Sequence, residues 1–387
     1  LALGGAGAVG PANNWVIRQA WLETEAWGIG LKTGNMPISL NDDILVNHDT
    51  TSFGTVMLSK SFGDITVVGA DVRLREGDVG YQSSGVDGNT RSGFAQSALI
   101  GNGSNDDDED LYVLSVLGKA PSNISYQVTA AYLNLGKGGV VNSVLTSIPG
   151  RDRLHDWWLA GTVKVPVSGI DLTGTLIYEN GMGGFTSGDE DISALNHQLD
   201  KSGFLAALRA KGKLGFGGWN AYGFYASKNY TNITNRNPVW SDTWDQGGPG
   251  AKDLMNLVTQ NAFNQSTSGN GGNGGFGPSG AAASPTENAW GLGAGLTVEA
   301  GGWKIRPMLD YVSLVEDTVN FGNSRTLARY DSAWGGSLMA STEIDKGTNL
   351  LLGATVVRPS DGPGRVAGDA LDSKTMHLVQ AAIKMAF

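Results

Sequence analysis

Apolar and polar residues alternate along most of this chain, in segments of about nine to eleven residues. A repeat of two residues is typical of a β-strand with one apolar and one polar face. Clear segments lie at residues 66–74, 111–118, 124–132, 157–165, 170–178, 204–214, 290–298, 303–311, 334–344 and 350–356, and a last one leads up to Phe387. Weaker ones lie near residues 14–24, 27–36, 51–61 and 217–228. The pattern predicts an all-β chain of about 15 strands.

The connections between these segments alternate in length. Short ones such as Gly301-Gly302 and Asp345-Lys346-Gly347 carry hairpin-turn residues. Long ones lie between them, near residues 76–109, 136–153, 181–202, 229–287, 316–330 and 360–373. This alternation is typical of an up-and-down antiparallel barrel in a membrane, and strands of about 9–11 residues match a tilted bilayer crossing. We predict a single transmembrane β-barrel domain over residues 1–387, with short periplasmic turns and long extracellular loops.

The strand count follows from parity. With Phe387 at the periplasmic rim, counting backwards puts the start of the segment near residues 14–24 at the outer rim. A closed barrel of even strand number then needs one more strand, which residues 1–9 would supply in part. We predict about 16 strands in the intact protein. Because the chain begins at Leu1, we expect a mature or truncated sequence without its signal peptide.

Composition excludes several other classes of protein. Glycine occurs 58 times against 12 prolines, and no stretch approaches the roughly 20 apolar residues of a membrane helix. Cysteine is absent, which rules out disulfides, thiol catalysis and cysteine–zinc sites. The net charge of −10 argues against nucleic acid as a partner.

Aromatic residues lie near the strand ends on the apolar face. Trp and Tyr prefer the headgroup depth of a bilayer, so these positions predict two aromatic girdles. The alternative is a set of core aromatics in a soluble β protein. The candidate girdle residues are Tyr126, Tyr132, Trp157, Tyr178, Trp290, Trp303, Tyr311, Trp334 and Phe387.

The opposite face carries charge, and charge at mid-depth must face water because facing lipid would cost about 2–4 kcal/mol. A barrel of this size leaves an aqueous channel. The candidate pore-lining residues are Lys32, Asp71, Arg73, Lys164, Glu179, Arg209, Lys211, Lys213, Lys304, Arg306, Asp310, Glu343 and Lys384. This wall is mostly basic, whereas the acidic residues fall in loops, for example Asp42 and Asp43. We predict a modest anion preference, with a weakly selective wet pore as the alternative.

One long loop is expected to fold into the lumen, and residues 229–287 or 76–109 are the candidates. The acidic run in the second of these could bind Ca²⁺ through Asp106, Asp108 and Asp110, although the spacing is not that of an EF-hand. A solvated charge run is the alternative. We expect no other cofactor.

Residues 18–23, Arg-Gln-Ala-Trp-Leu-Glu, and residues 30–40, Gly-Leu-Lys-Thr-Gly-Asn-Met-Pro-Ile-Ser-Leu, resemble the early hairpin of Gram-negative outer-membrane porins. The alginate-export-like and related substrate porins are examples of the class that this hairpin resembles. Asn35-Met36 replaces an Arg-Gln pair that is frequent there, which removes a lumen charge. The resemblance implies a bacterial outer-membrane location, passive diffusion, an inward-folded loop and, in some members, a homotrimer. Lipid and lipopolysaccharide are the implied surroundings.

We therefore predict a porin that conducts small hydrophilic or ionic solutes and catalyses no reaction. One alternative is a plugged or adaptor barrel that holds or anchors another protein. An outer-membrane barrel enzyme is a second, and it would need a histidine with a Ser or Asp partner. His48, His155, His197 and His377 stand in no such constellation. The glycines of residues 291–295 lie inside an alternating strand, so they do not form a nucleotide-binding loop.

Overall fold

The computed structural model describes residues 20–42, 44–75, 109–135, 151–185, 201–227, 230, 289–315, 318–321, 324–327, 330–361 and 375–385. The strands in these ranges are β1 (Ala20–Ala26), β2 (Ile29–Leu40), β3 (Val46–Phe62), β4 (Ile65–Arg75), β5 (Glu109–Ala120), β6 (Ile124–Leu135), β7 (Arg151–Val167), β8 (Ile170–Phe185), β9 (Lys201–Leu214), β10 (Gly217–Ala226), β11 (Ala289–Ala300), β12 (Trp303–Leu314), β13 (Thr318–Phe321), β14 (Ser324–Leu327), β15 (Tyr330–Asp345), β16 (Thr348–Asp361) and β17 (Met376–Met385). A 3₁₀ turn at Pro121–Asn123 joins β5 to β6.

Within the described residues, 15 of these strands form one antiparallel sheet in chain order, and β13 and β14 form a separate hairpin. Each strand of the large sheet pairs with the next, as an up-and-down barrel requires. The prediction of an all-β, up-and-down antiparallel architecture is confirmed. The extra strand expected in residues 1–9, and the beginning of the segment near residues 14–24, lie outside the described residues.

Short turns join alternate strands at one rim. Several adopt two consecutive positive φ angles, as at Ser168-Gly169 (49° and 84°) and Gly301-Gly302 (58° and 81°). Two positive φ angles are the signature of a type I′ turn, whose twist matches that of the flanking strands. This rim corresponds to the predicted periplasmic side. The opposite rim carries the long connections, most of which lie outside the described residues.

The sheet curls so that distant strands face a common interior. Asp42, which follows β2, contacts Arg209 of β9, seven strands away in sheet order. That contact identifies the inner face of β9 as the one carrying Leu205, Ala207 and Arg209, all of which are buried. The cross-strand pairs transfer the assignment to the neighbouring strands, since directly paired residues lie on the same face.

Outer-face aromatics pack over glycines near the periplasmic rim. Tyr126 of β6 lies directly opposite Gly118 of β5, and Trp219 of β10 lies opposite Gly212 of β9. A β-carbon at either glycine would overlap the facing ring. Within the described residues, no helix has the length and apolar content to cross a membrane.

Candidate functional site

Basic side chains share the inner face near the periplasmic rim. Lys164 of β7, Arg209, Lys211 and Lys213 of β9, and Lys304 and Arg306 of β12 all fall on it by alternation and pairing. Lys32 of β2 lies there too, and its Nζ is 3.0 Å from Glu23 Oε1 of β1. Glu179, Asp310 and Glu343 belong to the same face. Lys384 pairs with Asn349, and its side chain lies outside the described part.

Asp71 and Arg73 are a correction to the predicted pore wall, because β4 presents them on its outer face. Asp71 pairs directly with Tyr112, which is exposed on the outer face of β5. Arg73 Nε lies 3.4 Å from Asp110 Oδ1 on that face. The inner face of β4 instead carries Val72, paired with the buried Leu111. The pair stands in the outer half of β4, beside the stacked Tyr112 and Tyr132, and an outward charge near a strand end costs less than one at mid-depth.

The inner wall changes character along the strands. On β9, Leu205 and Ala207 lie nearer the outer rim and the three basic residues lie nearer the periplasmic turn. On the inner face of β8, the apolar Ile177 lies nearer the outer rim, and the polar Thr175 lies nearer the periplasmic turn. The outer half of the interior is therefore largely apolar, and the periplasmic half is polar and basic.

The connection between β2 and β3 folds into this interior. We call residues 40–46 the inner tip. Its apolar residues are Leu40, Ile44, Leu45 and Val46, each at most 9% exposed. They join one buried cluster with inner-face residues such as Leu111, Trp158 and Ile177. Burial of four such side chains contributes roughly 6–12 kcal/mol, so the inner tip is a fixed part of the interior.

Polar contacts locate the inner tip above the hydroxyl-bearing part of the wall. The Asn41 backbone N donates to Gln127 Oε1 at 3.2 Å, and Asn41 Nδ2 donates to Thr162 Oγ1 at 3.3 Å. Buried hydroxyls pair beneath it, Thr162 with Thr175 at 3.0 Å and Ser115 with Thr129 at 2.9 Å. Asn41 and Asp42 have positive φ angles of 54° and 58°. Asn and Asp tolerate this conformation better than other side chains, which explains the local sequence.

Asp42 bridges two cations of the wall. Its Oδ1 lies 2.6 Å from Lys164 Nζ, and its Oδ2 lies 2.6 Å from Arg209 Nη1. Arg209 Nη1 also donates to the Asp42 carbonyl oxygen at 3.3 Å. The side chains of Asp42 and Arg209 are 14% and 10% exposed, against 52% for Lys164. Asp42 lies in a connection, as predicted, but this connection folds inward, so that its carboxylate meets the cations of the inner wall.

A second buried polar contact crosses the inner face of β11. The Tyr222 hydroxyl of β10 donates to Asp310 Oδ1 of β12 at 2.5 Å. Both residues pair with Gly293, whose missing side chain leaves the space for this contact. The glycines of β11 thus serve packing on the inner wall.

The outer face carries the predicted girdle residues. Trp157 contacts Tyr178, and Tyr311 contacts both Trp290 and Trp334, with ring centroids 4.5–5.5 Å apart. Tyr132 stacks on Tyr112 at 6.4 Å. Tyr126 and Trp303 lie on the outer face closer to the periplasmic turns. Phe387 lies outside the described residues.

Other predicted features fall where the structure gives no description. These are Asp106, Asp108 and the two loops proposed to enter the lumen, apart from Glu109 of β5 and Tyr230, which is fully buried. Asp110 lies on the outer face beside Arg73. The described residues contain no group of three potential metal-ligating side chains. Sequence reasoning missed the inner tip, although a turn-forming Asn-Asp-Asp followed by Ile44-Leu45 between two strands was a signal of a loop with an apolar anchor.

No protein-family model matches this sequence, and no curated protein sequence matches it. Solved structures do. The BenF-like porin from Pseudomonas fluorescens Pf-5 aligns with 95% of this chain and 77% of its own, at 10% identity and a TM-score of 0.50. OccK8 (OprE) from Pseudomonas aeruginosa aligns with 95% of this chain and 80% of its own, at 9% identity and a TM-score of 0.50. The fold is that of the outer-membrane porins.

The outer membrane phospholipase A from Escherichia coli aligns with 72% of this chain and 84% of its own, at 13% identity. Its TM-score of 0.22 is too low to carry an argument about enzymatic function.

The outer face of the sheet is apolar enough to lie against lipid. Large apolar side chains such as Leu176, Leu208 and Leu309 are 58–59% exposed in mid-strand positions of that face. A protein surrounded by water rarely leaves so extended an apolar surface uncovered, whereas lipid covers it. An apolar outer face of this extent is the surface that a transmembrane β-barrel presents to lipid.

Proposed function

We propose that this protein is an outer-membrane porin, a passive channel for small hydrophilic or ionic solutes. The observation that carries the proposal is the row of basic and hydroxyl side chains on the inner face of a barrel whose outer face is apolar. Charged side chains on that face require water beside them, and a barrel of this strand number has room for it. A homotrimer and contact with lipopolysaccharide are further predictions from the resemblance.

We propose in addition a modest preference for anions. Six cations converge on the periplasmic half of the wall: Lys164, Arg209, Lys211, Lys213, Lys304 and Arg306. Rings of like charge in a narrow pore set ion selectivity. Loop carboxylates more than about 8 Å from the permeating ion are screened at physiological salt. Three carboxylates oppose this preference: Asp42 of the inner tip, Asp171 opposite Lys211 and Glu299 opposite Lys304.

A plugged barrel is the second candidate, and the inner tip is the observation that favours it. Its apolar residues pack against the inner wall in the outer half of the interior. Such packing narrows the lumen and, with further loops inside, would close it. A barrel closed in this way would serve to hold or anchor another protein rather than to conduct.

Planar-bilayer recording separates the two candidates. Purified protein is refolded in detergent, and its heat-modifiable migration on a gel confirms the folded barrel before insertion. We expect stable conductance steps and, under a KCl gradient, a reversal potential that favours chloride. Steps that favour potassium would leave the porin and remove the anion preference. Folded protein without any conductance would support the plugged barrel.

A further inference from the structure

The site formed by Lys164, Arg209 and Asp42 differs from the rest of the basic wall, because its counter-charge comes from the inner tip. Lys164 lies on β7 and Arg209 on β9, and both contact Asp42. Asp42 is 122 positions before Lys164 and 167 positions before Arg209 in the sequence. Each oxygen of the Asp42 carboxylate serves one of the two cations, at 2.6 Å. A carboxylate bound in this way occupies the place that a permeating anion would take.

The surrounding residues hold Asp42 and Arg209 in fixed positions. The side chain of Arg209 is 10% exposed, and a cation that is this buried needs a partner with good geometry. The Asn41 side chain beside it is 0% exposed and bonded to Thr162, so the turn that presents Asp42 is held in place. The apolar residues of the inner tip anchor the same turn from the other side. Asp42 is therefore presented by a rigid support.

We propose that Asp42 is a specificity-determining residue of the channel, an internal counter-ion that neutralises Lys164 and Arg209 and competes with small anions for them. This inference rests on the porin function proposed above. Entering anions exchange with the carboxylate at the two cations while the inner tip stays in place, since its apolar burial exceeds the strength of the ion pairs. Asp42 thereby limits both anion preference and anion residence in the pore.

The test is bilayer recording in KCl with Asp42→Asn and a matched variant, Glu23→Gln. Glu23 is also a carboxylate on the inner face paired with one lysine, but its side chain is 58% exposed. Removing a charge about 8 Å from the ion path changes the chloride-to-potassium permeability ratio by about twofold after screening. We expect at least that shift toward chloride for Asp42→Asn and a clearly smaller one for Glu23→Gln.

Charge rescue separates electrostatics from a structural role. The chain has no cysteine, so Asp42→Cys introduces a unique thiol. We expect Asp42→Cys to behave as Asp42→Asn, and its modification by a sulfonate-bearing methanethiosulfonate to return the permeability ratio to the wild-type value. The corresponding trimethylammonium reagent should increase chloride preference further.

The outcomes are distinct. Equal shifts for Asp42→Asn and Glu23→Gln, or a sulfonate adduct that leaves the ratio unchanged, would overturn the role of Asp42 and leave the porin standing. Absence of conductance in folded wild-type protein would overturn the porin proposal and this inference with it. Heat-modifiable migration establishes folding for each variant, and Asp42→Cys replaces Asp42→Asn if the latter does not fold.

Discussion

At the scale of single residues, the inner wall depends on where side chains are missing. Gly293 separates Tyr222 from Asp310 in the sheet, and the hydrogen bond between them passes over its α-carbon. Gly295 likewise lies between Asn220 of β10 and Met308 of β12, with which it pairs. Alternating glycines on β11 therefore let the side chains of β10 and β12 meet across it.

Replacing Gly293 with alanine tests this arrangement. A β-carbon there would overlap both the Tyr222 ring and the Asp310 carboxylate, so one of them must move. We expect Gly293→Ala to lower the free energy of unfolding by about 1–3 kcal/mol, through overpacking and a weakened buried hydrogen bond. Denaturant titration in detergent measures the change.

Gly174→Ala is the matched control on the outer face of β8, where an added β-carbon has no atom within 4 Å. Its stability should equal that of the wild type or exceed it slightly. Equal stability of the two variants would contradict the packing role assigned to Gly293.

At the scale of elements, the inner tip distinguishes this barrel interior from a simple polar channel. Strands β2 and β3 extend to 12 and 17 residues, longer than their alternation predicted, and the connection between them turns inward. Two kinds of interaction hold it: apolar burial in the outer half and ion pairs at the start of the basic half. The hydrophobic contribution is the larger, since the partly exposed pair with Lys164 contributes no more than about 1 kcal/mol, and desolvation offsets much of the Coulombic gain of the buried pair with Arg209.

Thiol labelling tests the location of the inner tip. Ile44 is 0% exposed, so the thiol of Ile44→Cys should be protected from a water-soluble maleimide in the folded barrel. An opening free energy of only about 1.4 kcal/mol already slows labelling about tenfold. Lys213→Cys, at an exposed inner-face position near the periplasmic rim, is the control that should label readily. Equal labelling rates in intact barrels would mean that the inner tip is not packed as described.

At the scale of the whole molecule, one sheet separates two environments. Its outer face exposes Leu, Val, Trp and Tyr side chains, and its inner face carries the paired Ser and Thr hydroxyls and nearly all the basic groups named above. A soluble β protein has a polar outer surface and an apolar interior. Here the outer surface is apolar, and the charged side chains face the interior, where they need water. Lipid is therefore needed to cover the apolar outer face and stabilise the fold.

A charge on the outer face should be costly, whereas one on the inner face should be tolerated. Leu296 lies on the outer face of β11, between Trp290 and the periplasmic turn, and is 42% exposed. We expect Leu296→Arg to destabilise the barrel by about 1–3 kcal/mol in lipid vesicles, because Leu296 pairs with Trp219 and lies between mid-depth, where such a charge costs about 2–4 kcal/mol, and the interface, where it costs about 0–1 kcal/mol. Thr297→Arg, on the inner face of the same strand, should cost clearly less. Unfolding in vesicles by denaturant provides the comparison, and similar costs would argue against a lipid-facing outer surface.

The strands, the turns and the two faces were largely predictable, because each is encoded locally. A period of two in apolar residues specifies a strand and its faces wherever the two sides differ in polarity, as on β9 and β12. In β4 they differ little: Val67 and Gly69 accompany Asp71 and Arg73, and Val68 and Ala70 accompany Val72. There the pairing with β5 decides which way the charges point, so the sequence prediction of their face was wrong.

The sequence by itself determined that this chain forms an antiparallel barrel with an apolar exterior and charges on the other face, since alternation and turn chemistry act over a few residues. Tertiary structure alone decided that the inner tip enters the interior and that Asp42 meets Lys164 and Arg209. The contacts that hold Asn41 and Asp42 join residues 86 to 167 positions apart. Such contacts exist only after the sheet has curled, because curling brings β7 and β9 opposite the connection between β2 and β3.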